Sequence, residues 1–347
     1  MVSRQTLRII DANLNRIGEG LRILEELARF VLNDPMLTQQ LKNMRHNLLT
    51  AGQPLRQQLL QARDAAGDVG AYLEVPGEER DGELTQTIVA NARRVQEGLR
   101  VLEELAQQVN LDPDKFKQAR FDLYDIEPAL LSRMLRRDKI QRLTGLYVII
   151  DTQALQGRGH FEAAAQAIHG GASVIQLRDK LSGKRELLEV ARHLKDLCAE
   201  HNVLFIINDH LDLALATDAD GLHLGQNDLP VTVVRKLLAM DKILGISART
   251  VAEATSAESD GADYIAVGSI YPTASKEAAV VVGLERLRQV KQAVSLPVVA
   301  IGGINQDNAA DVMAAGASAV AVISAALKAE GMEQAVRQLV DAIKART

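Results

Sequence analysis

Along residues 3–137 apolar side chains recur every three or four positions, as in Leu14, Ile17, Leu21, Leu24, Ala28 and Val31, the stripe of an amphipathic helix that buries one face. Strand-like alternation is nearly absent there. Breakers at Asp34-Pro35, around residues 67–82 and at Asp112-Pro113 divide the stretch into about four long helices, enough for a bundle with its stripes turned inward. The segment 12–28, Ala-Asn-Leu-Asn-Arg-Ile-Gly-Glu-Gly-Leu-Arg-Ile-Leu-Glu-Glu-Leu-Ala, recurs at 90–106 as Ala-Asn-Ala-Arg-Arg-Val-Gln-Glu-Gly-Leu-Arg-Val-Leu-Glu-Glu-Leu-Ala. The repeat predicts two helical hairpins related by pseudo-symmetry. A glycine inside a helix costs about 1 kcal/mol relative to alanine, so its recurrence at Gly20 and Gly98 predicts that two backbones approach closely. The polar face carries Asn13, Arg16, Glu19 and Arg22, echoed by Asn91, Arg94, Glu97 and Arg100. Two readings stay open: a paired site for an anion or nucleotide, or ion pairs along the seam between the repeats, the commoner use of such a face.

Near Arg136-Arg137-Asp138-Lys139 the period changes. Short β-rich runs at 146–151, 174–178, 204–208, 221–224, 243–247, 264–268, 298–301 and 319–323 then alternate with helical stretches. Eight strands, each followed by a helix or helical turn, suit an α/β chain folded as a (β/α)₈ TIM barrel. The predicted organisation is an all-α helical bundle domain over residues 1–138, with an internal duplication, and a TIM barrel over residues 139–347. A doubly wound sheet is the alternative, but its glycine-rich first turn is replaced here by Asp151-Thr152-Gln153.

Composition narrows the partners. Lys and Arg number 40 against 45 Asp and Glu, a net charge of -5, which disfavours a general grip on nucleic acid or an anionic membrane. Any anionic ligand must be held locally. A single cysteine, Cys198, excludes a disulfide framework and a thiolate metal cluster and points to a reducing compartment. Neither a signal-type apolar segment nor a long apolar run is read near Met1 or elsewhere. The expectation is a cytoplasmic protein acting on small phosphorylated molecules, without nucleic-acid or membrane partners, and with a homo-oligomer left open.

Barrel enzymes collect their chemistry at the carboxyl ends of the strands. There the chain places Gln176-Leu177-Arg178-Asp179-Lys180 after strand two, Asn208-Asp209 after strand three and Gln226-Asn227-Asp228 after strand four. Ser247 follows strand five, Tyr271-Pro272-Thr273-Ala274-Ser275-Lys276 strand six, Gly302-Gly303 strand seven and Ser324 strand eight. Gln176 and Arg178 share a strand face, and Lys180 can lean the same way. Asp209 and Asp228, with no His or Cys cluster beside them, form a hard oxygen set suited to one Mg²⁺ ion that completes its shell with water and phosphate. Arg178, Lys180 and Lys276 would grip a diphosphate with that metal. The loops after strands seven and eight suit a phosphate monoester. Two phosphorylated substrates meeting in one pocket follow.

Five motifs then point to a family. Gln176-Leu177-Arg178-Asp179-Lys180 resembles the Q-L-R-x-K motif of thiamine-phosphate synthase (thiamine-phosphate pyrophosphorylase), and Ile207-Asn208-Asp209 its I-N-D. Gly221-Leu222-His223-Leu224-Gly225-Gln226-Asn227-Asp228-Leu229-Pro230, Pro272-Thr273-Ala274-Ser275-Lys276 and Ala300-Ile301-Gly302-Gly303-Ile304 resemble its next three, in order. The resemblance spans about residues 143–347. The helical half resembles an amino-terminal extension found on some such synthases. The resemblance implies a Mg²⁺-dependent transferase of thiamine biosynthesis that joins 4-amino-2-methyl-5-pyrimidinylmethyl diphosphate to a thiazole phosphate carboxylate. Thiamine phosphate, CO₂ and diphosphate would be its products. It further implies that Gln176, Leu177, Arg178, Asp179, Lys180, Asn208, Ser247 and Lys276 hold the pyrimidine diphosphate, with Arg178, Lys180, Ser247 and Lys276 acting in catalysis. Asp209 and Asp228 would bind the metal, and Thr273, Ala274, Ser275, Gly303, Ile323 and Ser324 the thiazole phosphate. Two positions depart from the family pattern: Ser275 stands for a threonine, and Ala248-Arg249 for Thr-His after Ser247.

Taken singly, these residues have plainer roles. Asp209 and Asp228 could cap the helices that follow them, and Arg178, Lys180 or Lys276 could be surface charges. Cys198 reads as packing, His193 as surface, and His223 as a structural residue of the barrel interior. Residues 272–283 are the candidate lid. The rival readings are a thiazole tautomerase-like enzyme, which would not need the diphosphate grip, and a non-catalytic sensor of thiamine precursors.

Overall fold

The computed structural model describes residues 2–50, 52–64, 83–273 and 280–345, which fall into two compact units, Met1–Leu135 and Arg136–Thr347. The first is helical. Helix α1 (Arg4–Glu26) begins where the Ser3 hydroxyl accepts the Thr6 N–H, and α2 (Pro35–Leu49) where the Asp34 carboxylate accepts those of Met36 and Leu37. These caps satisfy N–H groups that lack partners in the first turn. A short α3 (Gln53–Ala62) precedes α4 (Leu84–Leu105), and α5 (Pro113–Gln141) opens at the expected Asp112-Pro113 break and runs across the boundary between the units.

The repeated segments are the cores of α1 and α4, and they meet reciprocally. A Cβ on Gly20 would lie 2.6 Å from Val95 Cγ2 and 3.2 Å from the Asn91 carbonyl; one on Gly98 would meet Ile17 at 3.0 Å and the Asn13 carbonyl at 3.6 Å. Asn13 and Asn91 are equivalent in the repeat, as are Ile17 and Val95, so the two contacts are pseudo-symmetric copies. Each buried asparagine donates to a carbonyl one turn back, Ile9 O or Thr87 O, at 2.8 Å. Arg22 pairs with Glu26, and Arg100 with Glu103 and Glu104. These pairs lie within single helices and use glutamates outside the face named above, so they do not join the two repeats.

The second unit is a closed parallel barrel of eight strands in chain order: β1 (Gly145–Asp151), β2 (Val174–Arg178), β3 (Leu204–Asn208), β4 (Gly221–Leu224), β5 (Ile243–Ala248), β6 (Tyr264–Gly268), β7 (Val298–Ile301) and β8 (Ala319–Val322). Alternation along each strand sorts its side chains. In β2, Val174 joins the interior cluster with Tyr147, Ile206 and Tyr264, whereas Ile175 and Leu177 join the shell between strands and helices. Gly245 makes room for the Tyr264 ring, which a Cβ there would meet at 2.0 Å. At the amino end of the barrel, Leu143 and Ile140 pack against the interior cluster. Asp263, just before β6, is buried with three donors: Arg136 Nε at 2.8 Å, Arg235 Nη2 at 2.6 Å and the Leu244 N–H at 2.8 Å. The barrel therefore has an ionic latch that begins at Arg136. Among the described residues no helix is long and apolar enough to cross a membrane.

Two stability outcomes follow. Gly20→Ala should lower the melting temperature of the helical unit by calorimetry, since the clash costs about 1–3 kcal/mol and outweighs the gain of about 1 kcal/mol in helix propensity. Arg136→Met strips one of two guanidinium partners from a buried carboxylate and should destabilise the barrel by about 3 kcal/mol, read as a calorimetric shift of its transition.

Candidate functional site

All eight strands open toward one end, where a cavity of about 520 Å³ is walled by their carboxyl tips. The inward face of β2 brings Gln176 and Arg178 to it, with Lys180 just beyond; β3 brings Asn208 and Asp209, and the β4 loop Asp228. Ser247 of β5 lies on the same wall, while Thr273, Gly303, Ile323 and Ser324 come from the tips of β6, β7 and β8. One mouth thus joins residues expected on each of the two substrates.

The two aspartates are not helix caps. Asp209 adopts a left-handed backbone, φ +62°, and its N–H donates to the His223 carbonyl at 2.9 Å, tying β3 to β4. The cap position of the following helix falls to His210, so the Asp209 carboxylate is turned to Lys180 Nζ, 3.5 Å away, and to Asp228. Asp228 folds back within its own loop, where Oδ2 accepts the Gly225 N–H at 2.6 Å, and Pro230 occupies the cap position of the next helix. Burial and the adjacent Asp228 charge raise the Asp209 carboxyl above the usual range, more than Lys180 lowers it. A pair of hard oxygen donors whose mutual repulsion exceeds the charge of one lysine fits a divalent cation. Among the described residues no group of three or more His, Cys, Asp or Glu is placed to hold a metal, so water or substrate oxygens would have to complete the shell.

Arg178 is braced by Asp151 at the tip of β1, its register partner. Asp151 was missed in the sequence, although it shares the inward face of β1 with Tyr147 and Ile149 and counting back by twos would have found it. Two members of the β2 motif lie elsewhere. Leu177 points outward into the shell beneath the helices, because it sits between two inward-facing neighbours. Asp179 is buried in its own turn, accepting the Leu181 and Ser182 N–H groups at 2.7 and 2.9 Å; burial opposes its ionisation, but these donors hold its pKa at about 2. Neither side chain lines the cavity, contrary to the expectation that they hold the pyrimidine diphosphate. Ala274, Ser275 and Lys276, with half of the candidate lid, lie outside the described residues.

On the far wall the backbone turns sharply at Gly302 and Gly303, with φ +102° and +66°. A Cβ on Gly303 would lie 2.5 Å from the Pro272 carbonyl, so the β6 and β7 loops approach as only glycine permits. The floor holds a polar line that the sequence reading did not assemble. Gln176 Nε2 donates to Tyr147 Oη at 2.7 Å, and Tyr147 Oη lies 3.2 Å from Tyr264 Oη. His223 joins Tyr264 Oη by Nδ1 at 3.1 Å and Ser247 Oγ by Nε2 at 2.9 Å. Burial pushes both phenols above their ordinary pKa. Gln226 Nε2 further fixes β5 through the Ser247 carbonyl at 2.6 Å. His223 is therefore in the barrel interior as expected, but it also lines the cavity. Cys198 is buried outside the site, its thiol pushed up to about 12 by burial, and His193 is exposed.

Comparison with known proteins agrees with this geometry. Residues 146–326 match the family model for thiamine monophosphate synthase, and residues 8–129 that of the ThiD2 family. The thiamine-phosphate synthase of Prochlorococcus marinus (strain MIT 9303) is 38% identical over 343 residues, covering 97% of this chain and 96% of its own. That of Synechocystis sp. is 39% identical over 337 residues, 96% of this chain and 94% of its own. Among solved structures, the thiamine phosphate pyrophosphorylase of Pyrococcus furiosus is 40% identical, with a TM-score of 0.56, over 59% of this chain and 98% of that one. With a barrel matched from its first strand to beyond its last, and relatives aligned along nearly the whole length, the chain belongs to the thiamine-phosphate synthase family.

Proposed function

We propose that the barrel joins an aminopyrimidinylmethyl diphosphate to a thiazole phosphate carboxylate, releasing diphosphate and CO₂ and forming thiamine phosphate. The observation that carries this reading is that one cavity is lined on one side by Arg178, Lys180, Asp209 and Asp228 and on the other by Gly303 and Ser324. A tautomerase needs only the second side. The helical unit has no part in this reading.

The chemistry follows from charge. Loss of diphosphate from the ring-bearing methylene leaves a cation that the electron-rich aminopyrimidine stabilises. Arg178, held in place by Asp151, and Lys180 stand where negative charge grows on the departing group, preorganised so that little rearrangement is needed during the reaction. Asp209 and Asp228 would hold one Mg²⁺, which when bound would neutralise diphosphate oxygens. Ser247, positioned by His223, donates its hydroxyl hydrogen to the same group. The Gly303 loop and Ser324 orient the thiazole phosphate so that its ring nitrogen faces the cation. No side-chain nucleophile is required.

Incubating the full chain with both purified substrates and Mg²⁺ should yield thiamine phosphate and diphosphate; isomerisation of the thiazole alone would favour the tautomerase, and binding without turnover the sensor. Arg178→Ala or Lys180→Ala should lower kcat by about 100-fold or more, as expected for loss of one preorganised charge donor. Wild-type turnover in either variant would remove that residue from the mechanism.

A further inference from the structure

The polar line on the cavity floor runs through five strands without a gap, from Gln176 through Tyr147, Tyr264 and His223 to Ser247, with spacings of 2.7, 3.2, 3.1 and 2.9 Å. All five residues line the cavity. A phenol has one hydrogen to donate and a neutral imidazole has one, so a hydrogen fixed at either end of the line sets the direction of every bond to the other end. Two orders run one way throughout and strand no buried phenol hydrogen. In the first, Gln176 N–H donates to Tyr147, Tyr147 to Tyr264, Tyr264 to Nδ1 of His223, and His223 Nε2–H to Ser247 Oγ. Ser247 then keeps its own hydrogen for the cavity, and Gln176 keeps Oε1, which accepts no hydrogen bond from the described residues. In the second, every bond is reversed: Ser247 donates to His223, the amide is turned over so that Oε1 accepts from Tyr147, and Gln176 offers the cavity only N–H groups.

We propose that this line makes recognition at its two ends interdependent: an anionic oxygen bound at Ser247 fixes the first order, and Gln176 is thereby locked with Oε1 toward the cavity, selecting an amino-substituted ring edge over an oxo-substituted one. The inference rests on the proposed function and deepens it. A diphosphate oxygen can only accept, so it requires the hydroxyl hydrogen of Ser247. An exocyclic amino group then donates to Oε1, whereas an oxo group confronts it with a second acceptor. Turning the amide to suit the oxo ring breaks the line or strips the diphosphate of its donor. An unanchored glutamine would simply rotate and accept either ring. Tyr147, Tyr264 and His223 are thus positioning residues that act on specificity through Gln176. Burial keeps both phenols protonated, as the line requires.

The test compares the full chain with Tyr147→Phe and Tyr264→Phe, which keep ring shape and remove one oxygen at different points in the line. Two readouts are taken: kcat/KM for the aminopyrimidinylmethyl diphosphate relative to its 4-oxo counterpart, and the Kd of inorganic diphosphate with Mg²⁺. The wild type should favour the amino substrate, and both variants should lose about tenfold or more of that preference, the scale set by unpaired polar groups in a substrate pocket. Diphosphate affinity should change less than about twofold, which also reports a folded site. An unchanged preference, or diphosphate affinity falling in step with turnover, overturns the coupling. A wild type that forms no product sinks the proposed function and this inference with it, whereas normal synthesis with unaltered preference sinks the inference alone.

Discussion

Two carboxylates set side by side at adjacent strand tips, one half-buried and one exposed, repel each other more than one lysine offsets. Asp209 and Asp228 stand in that relation, with Lys180 at 3.5 Å and the Asp209 carboxyl held above its usual range. Such an arrangement is costly for a fold that uses it only for packing, because helix caps or solvent would satisfy either residue more cheaply. A divalent cation and an anionic ligand entering together would offset that cost. The left-handed backbone at Asp209 points the same way, since that geometry aims the carboxylate at the cavity and not at the following helix.

The barrel makes the pairing possible. Parallel strands deliver every carboxyl end to one mouth, and alternation sends Gln176 and Arg178 inward while Leu177 packs outward. The amino end is closed independently, by Leu143 within the interior cluster and by the Arg136–Asp263–Arg235 latch. Stability and chemistry therefore occupy opposite ends of the unit, so the mouth can hold repelling charges without loosening the core.

Much of this was legible in the sequence because the period of the pattern changes where the architecture changes. The repeat predicted the Gly20 and Gly98 contacts, and the strand runs predicted the eight-strand barrel. Cavity-lining residues were legible where a polar side chain ends an apolar run, as for Arg178, Asp209 and Ser247. Reading the β2 motif as a contiguous block assigned Leu177 and Asp179 to the cavity, whereas alternation and a tight turn direct them away. The opposite error hid Tyr147 and Tyr264: aromatics inside strands look like core, and only the closed register shows that their hydroxyls meet. Asp151 was legible as an inward-facing strand tip, but its role as the brace of Arg178 exists only in the register with the neighbouring strand.

The most direct measurement is calorimetric titration of inorganic diphosphate into the full chain, with and without Mg²⁺, for the wild type and Asp228→Asn. Binding that requires the metal and is lost in the variant is the expected result. Binding of equal strength without Mg²⁺, or undiminished in Asp228→Asn, would contradict a metal-bridged diphosphate at the strand tips.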